Sequence, residues 1–270
     1  MTVECDNTVI NDVCWLACFD ILGFKSQISA YKKQYQHLYG VGYLDILVRE
    51  YQAKILAAIE EELTYQRQCQ RQFSRVPYYY AHFSDTFIFY SQGDSRDSFL
   101  TLDSVAGSFF LAMLAQGIAF RGALTCGEFY ADRTRDIFVG PALIEAYKYA
   151  EKQDWIGYVL TPQASLRLSS MDPPWTLPSL DYPEYDVPVK REEPIAIDGK
   201  RVTTIGKEAL FAFRTSKYSW AHDCICEMQQ VARNETEKDY VACQSKYDNT
   251  LSFLESTKLI NPLEKEEVRK

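Results

Sequence analysis

Two aspartates stand where strand residues are ordinarily apolar. One lies in ACFDILGF, residues 17–24, as Asp20; the other lies in HFSDTFIFYS, residues 82–91, as Asp85. Strand interiors rarely take Asp, and a buried carboxylate is costly unless a cation pairs with it. If the first strand runs beside the second stretch, both carboxylates reach the same end of one sheet. They would then raise each other's pKa unless cations sit between them. Mg²⁺ or Mn²⁺ suits that setting, because hard cations prefer oxygen ligands and leave room for phosphate. Two such ions, typically ~3.5–4 Å apart, activate a hydroxyl and stabilise a leaving phosphate. The carbonyl of Ile21 is a further candidate metal ligand. Leu22, Gly23 and Phe24 lead into a helix whose N-terminal amides suit a triphosphate. With Phe19 they are the candidate substrate contacts on this side. The ordinary reading of a lone Asp is a helix cap or a turn former. Two of them, at matching ends of apolar strands, favour the metal.

The elements that must place them follow from the pattern. Val13 to Phe19 is a near-continuous apolar run, as in a strand buried on both faces, and Gly23 ends it. Residues 24–39 and 43–72 read as helices. Tyr78–Phe83 and Phe87–Tyr90 read as a hairpin turning at Asp85. Phe99–Gly117 reads as a helix and Ala119–Cys126 as a strand meeting Gly127. Gly140-Pro141 opens a helix over 140–152, and Ile156–Leu160 is a short strand. The order predicts βααββαβ, an α+β sandwich of the ferredoxin-like kind. Residues 172–194 hold most of the ten prolines and read as a loop or extended arm, not a packed element. Ala209–Phe213 reads as a late strand and Asp223–Leu259 as one long polar helix. The expected organisation is a catalytic domain over 1–216 and a C-terminal helical extension over 217–270.

With 270 residues and 47% apolar composition, the chain can bury a real core. Its net charge of −8 argues against a nonspecific grip on nucleic acid. A small polyanion held through metal ions fits the charge. Cys14, Cys18 and Cys126 sit in apolar runs, and Cys224 and Cys226 form CxC rather than CxxC. No second pair stands at zinc spacing, so the cysteines predict neither a zinc site nor a disulfide frame. The expectation is a reducing, cytoplasmic setting with no leader peptide and no membrane span.

These motifs resemble the catalytic domain of class III nucleotidyl cyclases. FDILGF matches that family's first metal strand, and FSDT stands at its second metal aspartate. Arg121-Gly-Ala-Leu-Thr-Cys-Gly127 fits its Arg-x-Gly-Ile-x-x-Gly strand at the Arg and the last Gly. GPALIEAYKYAE takes the place of its Gly-x-x-Val-Asn-x-Ala-x-Arg helix. The resemblance covers residues 13 to about 161. Departures are informative. The purine-reading positions fall on Ala81 and Ile137, both apolar, with Asp136 one residue away. The transition-state Asn falls on Ile144 and its Arg partner on Lys148. A site built to bond a purine edge loses discrimination when those groups are absent.

The variant pattern is similar to the pyrimidine cyclases of bacterial Pycsar antiphage defence. That resemblance implies cyclisation of UTP to 3′,5′-cyclic UMP, with CTP to cyclic CMP as the alternative. It implies two Mn²⁺ or Mg²⁺ ions per site, a homodimer with active sites between protomers, and a product that signals to a separate effector. Ala81 and Lys148 then become substrate contacts, and Asp20 and Asp85 the catalytic metal ligands. Arg121 reads as a strand-end surface charge rather than a phosphate or scaffold contact. Two other readings compete. A diguanylate-cyclase-like or polymerase-palm-like domain shares the two-carboxylate logic, but the hairpin reads SDTF rather than Gly-Gly-Asp/Glu-Glu-Phe. A catalytically inactive nucleotide-sensing dimer fits the replaced Asn and Arg, and the retained aspartate pair argues against it.

Overall fold

The computed structural model describes residues 9–24, 28–29, 32–33, 42, 49, 53, 76–171, 182–191, 195–197, 200–202, 204–213, 215, 217–235 and 237–258. The two helices expected over 24–39 and 43–72 lie largely outside these residues. The first strand, β1 (Val9–Ile21), is followed by a hairpin of β2 (Tyr78–Phe83) and β3 (Thr86–Ser91). Then come α1 (Arg96–Ala115), β4 (Phe120–Asp132), β5 (Ile137–Val139), α2 (Pro141–Lys152), β6 (Gly157–Leu160) and α3 (Pro162–Ser169). The chain continues through β7 (Glu184–Lys190), β8 (Ile195–Ile197), β9 (Lys200–Val202), β10 (Ile205–Ala212), α4 (Tyr218–Glu235) and α5 (Glu237–Lys258).

One eight-stranded sheet runs in the order β2-β3-β1-β4-β6-β10-β7, with β5 paired to β4. β1 is antiparallel to both β3 and β4, and β4 runs parallel to β6. A parallel pair needs a crossover, and α2 lies within it. Alternation along β1 sorts its side chains onto two faces. Trp15, Ala17, Phe19 and Ile21 join a large core with Phe99, Leu102, Val105 and Phe109 of α1. Ala221 and Ile225 of α4 and Phe253 and Leu254 of α5 belong to the same core. On the other face, Cys14, Leu16 and Cys18 pack with Ile88, Tyr90 and with Ala142 and Ala146 of α2. Asp20 continues this second alternation, so it shares the α2 face.

α1 is long and apolar enough to cross a membrane by length and composition. Its buried residues instead pack against β1 and β3 in the core. Ser95 caps it, its hydroxyl accepting from Ser98 N–H at 3.1 Å. Cys14, Cys18 and Cys126 are buried free thiols. Burial is the main cause holding each near a pKa of about 12, which makes them inert hydrophobes.

Three expectations need correction. The proline-rich stretch is not merely a loop, because β7 lies in it and pairs with β10. Pro188 is tolerated because its carbonyl points away from β10, accepting from Asp154 N–H at 2.9 Å, so its missing donor also falls on the outer side. The strand expected to stop at Gly127 runs on to Asp132, where β5 folds back on it. The single long C-terminal helix is two helices, α4 and α5. They fold against one another, with Gln229 Nε2 donating to Asp248 Oδ1 at 3.0 Å.

Candidate active site

β1 and the β2-β3 hairpin bring the two aspartates to one end of the sheet. Asp20 stands opposite Thr86, and Ile21 N–H donates to the main-chain carbonyl of Asp85 at 3.0 Å. Ser84 and Asp85 form the two-residue hairpin loop, with Ser84 at φ 56°. Both carboxylates are part-buried. Burial pushes the Asp20 carboxyl above its ordinary value. Its pairing with Arg121 opposes that, and the charges of Asp85 and Glu151 add to the upward push.

The cation already beside Asp20 is Arg121, its partner across the β1-β4 register. Arg121 Nε and Nη2 both donate to Asp20 Oδ2, at 2.9 and 2.7 Å. The side chains are only 11% and 15% exposed, respectively. The third guanidinium nitrogen, Nη1, donates to the carbonyls of Glu151 and Gln153 at 2.7 and 3.2 Å. Arg121 thus also serves as a cap for the C-terminal end of α2. A surface charge it is not, and the sequence reading missed it. Half of the signal was present, since a strand Asp needs a cation; which cation it is depends on the β1-β4 register that sets Arg121, near the start of β4, opposite Asp20.

The remaining candidates fall in different places. The Phe19 ring is buried among Phe89, Phe109, Phe110, Phe120 and Tyr158, on the face away from Asp20. Leu22 and Phe24 pack against the same core, and Gly23 makes the turn after β1 at φ 76°. That left-handed value is cheap only for glycine. Ala81 is half-buried on the α2 face of β2. Ile144 is 70% exposed on α2, with Tyr147 and Lys148 also exposed one turn on. The charges of Glu151, then burial, then Asp20 and Asp85 hold the Tyr147 phenol above its ordinary value. Ile137 pairs with Asp132, which pairs with Val9, at the opposite end of β1 from Asp20. Eleven residue steps along the strand separate those ends, roughly 35 Å. One chain therefore does not bring Ile137 to the aspartates.

Among the described residues no group of three or more His, Cys, Asp or Glu side chains forms a metal cluster. The donor set at the sheet end is two carboxylates. That set fits Mg²⁺ or Mn²⁺, which bind through one or two carboxylates and complete their shells with water and substrate phosphate. It does not fit zinc, which asks for nitrogen or sulfur ligands. Asp20 Oδ2 is engaged by Arg121, so Oδ1 is the oxygen of that residue not committed to the guanidinium.

No family description matches the chain, and no curated protein matches its sequence. Matches among solved structures number 24 chains. One is the crystal structure of the catalytic core of a rhodopsin-guanylyl cyclase with converted specificity in complex with ATPalphaS. It is 11% identical, covers 75% of this chain and 98% of its own, and superposes with a TM-score of 0.38. That likeness is loose, and the function is argued from the residues of the site.

Proposed function

We propose that the protein is a nucleotide cyclase that converts UTP to 3′,5′-cyclic UMP and diphosphate. The observation that carries this reading is the placement of Asp20 and Asp85 at one sheet end, where β1 meets the hairpin loop and Ile21 N–H bonds the Asp85 carbonyl. The antiparallel order β2-β3-β1-β4 supports a ferredoxin-like arrangement of the catalytic domain. Residues 1–216 form that domain in this reading, and 217–270 an extension that contributes α4 and α5 to its core. Divalent ions, when bound, lower the pKa of the ribose 3′-hydroxyl and neutralise the triphosphate. The chain's part is to hold those charges: Asp20 through Oδ1, Asp85 through its carboxylate, and Ile21 through its carbonyl. In the turn Leu22-Gly23-Phe24, Leu22 N–H is committed to the Ala119 carbonyl at 2.9 Å, which leaves the amides of Gly23 and Phe24 for the phosphates. The bond formed joins the 3′-oxygen to the α-phosphorus, and the bond broken releases diphosphate.

The pyrimidine choice rests on Ala81, on β2 four residues before Asp85, whose side chain offers a purine edge no hydrogen bond. CTP is the alternative substrate. By its resemblance to Pycsar cyclases, the product is a second messenger for a separate effector in antiphage defence. Incubation with Mn²⁺ and all four nucleoside triphosphates, read by product mass, tests the proposal. Cyclic UMP or cyclic CMP supports it; dominant cyclic AMP, cyclic GMP or a cyclic dinucleotide overturns it. One observation favours a second reading, an inactive nucleotide-sensing dimer: the guanidinium of Arg121 already occupies Asp20 Oδ2. Nucleotide binding without any product would select it.

A further inference from the structure

Arg121 has three anchors, and only one is the aspartate. The other two are the main-chain carbonyls of Glu151 and Gln153, at the end of α2. That short segment is itself held rigidly. Gln153 is fully buried; its Nε2 donates to the carbonyls of Gly122 and Tyr149 at 2.8 and 2.7 Å, and its Oε1 accepts from Trp155 Nε1 at 2.6 Å. The next residue, Asp154, is gripped by α5. Its Oδ2 accepts from the Ser245 hydroxyl at 2.9 Å, its Oδ1 pairs with Lys246 Nζ at 3.2 Å, and its carbonyl accepts from Asn249 Nδ2 at 2.8 Å. The route from α5 to Asp20 is thus made of hydrogen bonds and an ion pair on either side of the main chain from Glu151 to Asp154.

We propose that Arg121 is the positioning residue of Asp20, and that α5 sets its position through the segment Glu151–Asp154. Two N–H bonds to one oxygen fix the rotation of the Asp20 carboxylate and leave Oδ1 as its remaining ligand. An arginine cannot lose its proton to escape that role. Partners that orient a metal-binding carboxylate in this way change metal affinity about 10–100-fold when removed. α5 is the chain's own lever on the site: any signal that shifts α5 moves Asp154, then the carbonyls that hold Arg121, then Asp20. This rests on the metal-site reading above.

The test uses the full chain, with ¹⁵N labelling for the metal-free protein and Mn²⁺ alone as the probe. The Arg121 Nε–H resonance reports the guanidinium's bond to Asp20 directly, and free Mn²⁺ measured by electron paramagnetic resonance gives affinity. Ser245→Ala combined with Asn249→Ala is expected to shift that resonance and to weaken Mn²⁺ binding by about threefold to tenfold. In an Arg121→Gln background the same pair of changes is expected to add nothing, while Arg121→Lys restores part of the affinity. Asn249→Ala alone, which leaves the Asp154 carboxylate paired, predicts a smaller shift in the same direction where the double variant is too unstable. An unmoved Arg121 resonance, or an equal loss of affinity in both backgrounds, overturns the coupling. Mn²⁺ binding that survives both Asp20→Asn and Asp85→Asn overturns instead the metal-site reading, and the Arg121 resonance still decides whether α5 holds that guanidinium.

Discussion

Asp20 and Asp85 are expected to differ when replaced, although both are proposed metal ligands. Asp85 is part-buried at a hairpin loop, and its main-chain carbonyl keeps its bond to Ile21 N–H whatever the side chain. Asp85→Asn is therefore expected to cut cyclase activity by ~10²-fold or more with little change in melting temperature. Asp20→Ala removes the partner of a guanidinium only 11% exposed. A stranded buried donor costs about 1–3 kcal/mol, so this variant is expected to lose both activity and stability. A thermal melt beside the product assay separates the two; equal stability of both variants sinks the role given to Arg121. Asp132 carries a pH prediction away from the site. The Thr134 hydroxyl bond first, then the Arg135 and Thr134 N–H bonds and the Arg135 charge, hold its carboxyl below the ordinary value. A lowered carboxylate contributes stability above its unfolded pKa of about 3.9 and loses it as pH falls through the lower folded value. Asp132→Asn is expected to flatten the loss of melting temperature on the acid side, between roughly pH 5 and 3. At this scale the aspartates were legible from sequence because charge inside an apolar strand is conspicuous. Arg121 was not, because its role depends on the β1-β4 register, which no local pattern encodes.

Elements with a clear period were legible: β1, the hairpin, α1 and α2 stand where alternation, turn residues and a Gly-Pro start placed them. The misread elements share a cause, in that tertiary pairing outweighed local composition. β7 forms despite Pro183 and Pro188 because β10 supplies its ladder and Tyr182 beside it is wholly buried. α4 and α5 read as one polar helix because their buried faces are spread along two separate helices, each packing a few apolar residues into the core. Gly122 shows how close the central elements approach. A Cβ there would lie 2.4 Å from the Phe19 ring and 2.9 Å from the Cys18 carbonyl. Gly122→Ala is expected to destabilise the protein by about 1–3 kcal/mol, as overpacked cores do, measured by urea unfolding. Because Gly122 adjoins Arg121, the same variant should also weaken Mn²⁺ binding. A stable Gly122→Ala protein would show that the ring yields freely.

The whole molecule poses the question of where the second half of the site is. In one chain, Ile137 sits roughly 35 Å from Asp20 along the strand, and Ile144 and Lys148 project from the exposed side of α2. Phe83 and Ile144 add exposed apolar surface on this side, each more than a third exposed. A two-fold dimer using the α2 face would bring one protomer's Lys148 toward its partner's aspartates, in keeping with the shared sites that the cyclase resemblance implies. The prediction is complementation. A chain carrying Asp85→Asn is inactive because it lacks a metal ligand, and a chain carrying Lys148→Glu is inactive because it repels the triphosphate. In a mixed dimer, one of the two sites would combine the intact aspartates of the second chain with the intact Lys148 of the first. Mixing the inactive proteins is expected to restore activity to about a quarter of the molar wild-type value or less, since only half the dimers are mixed and each holds one good site. Asp85→Asn suits the first chain better than any Asp20 variant, because it leaves Arg121 paired and the fold intact. Activity that stays at background on mixing, with wild type sedimenting as an active monomer, would place the whole site within one chain.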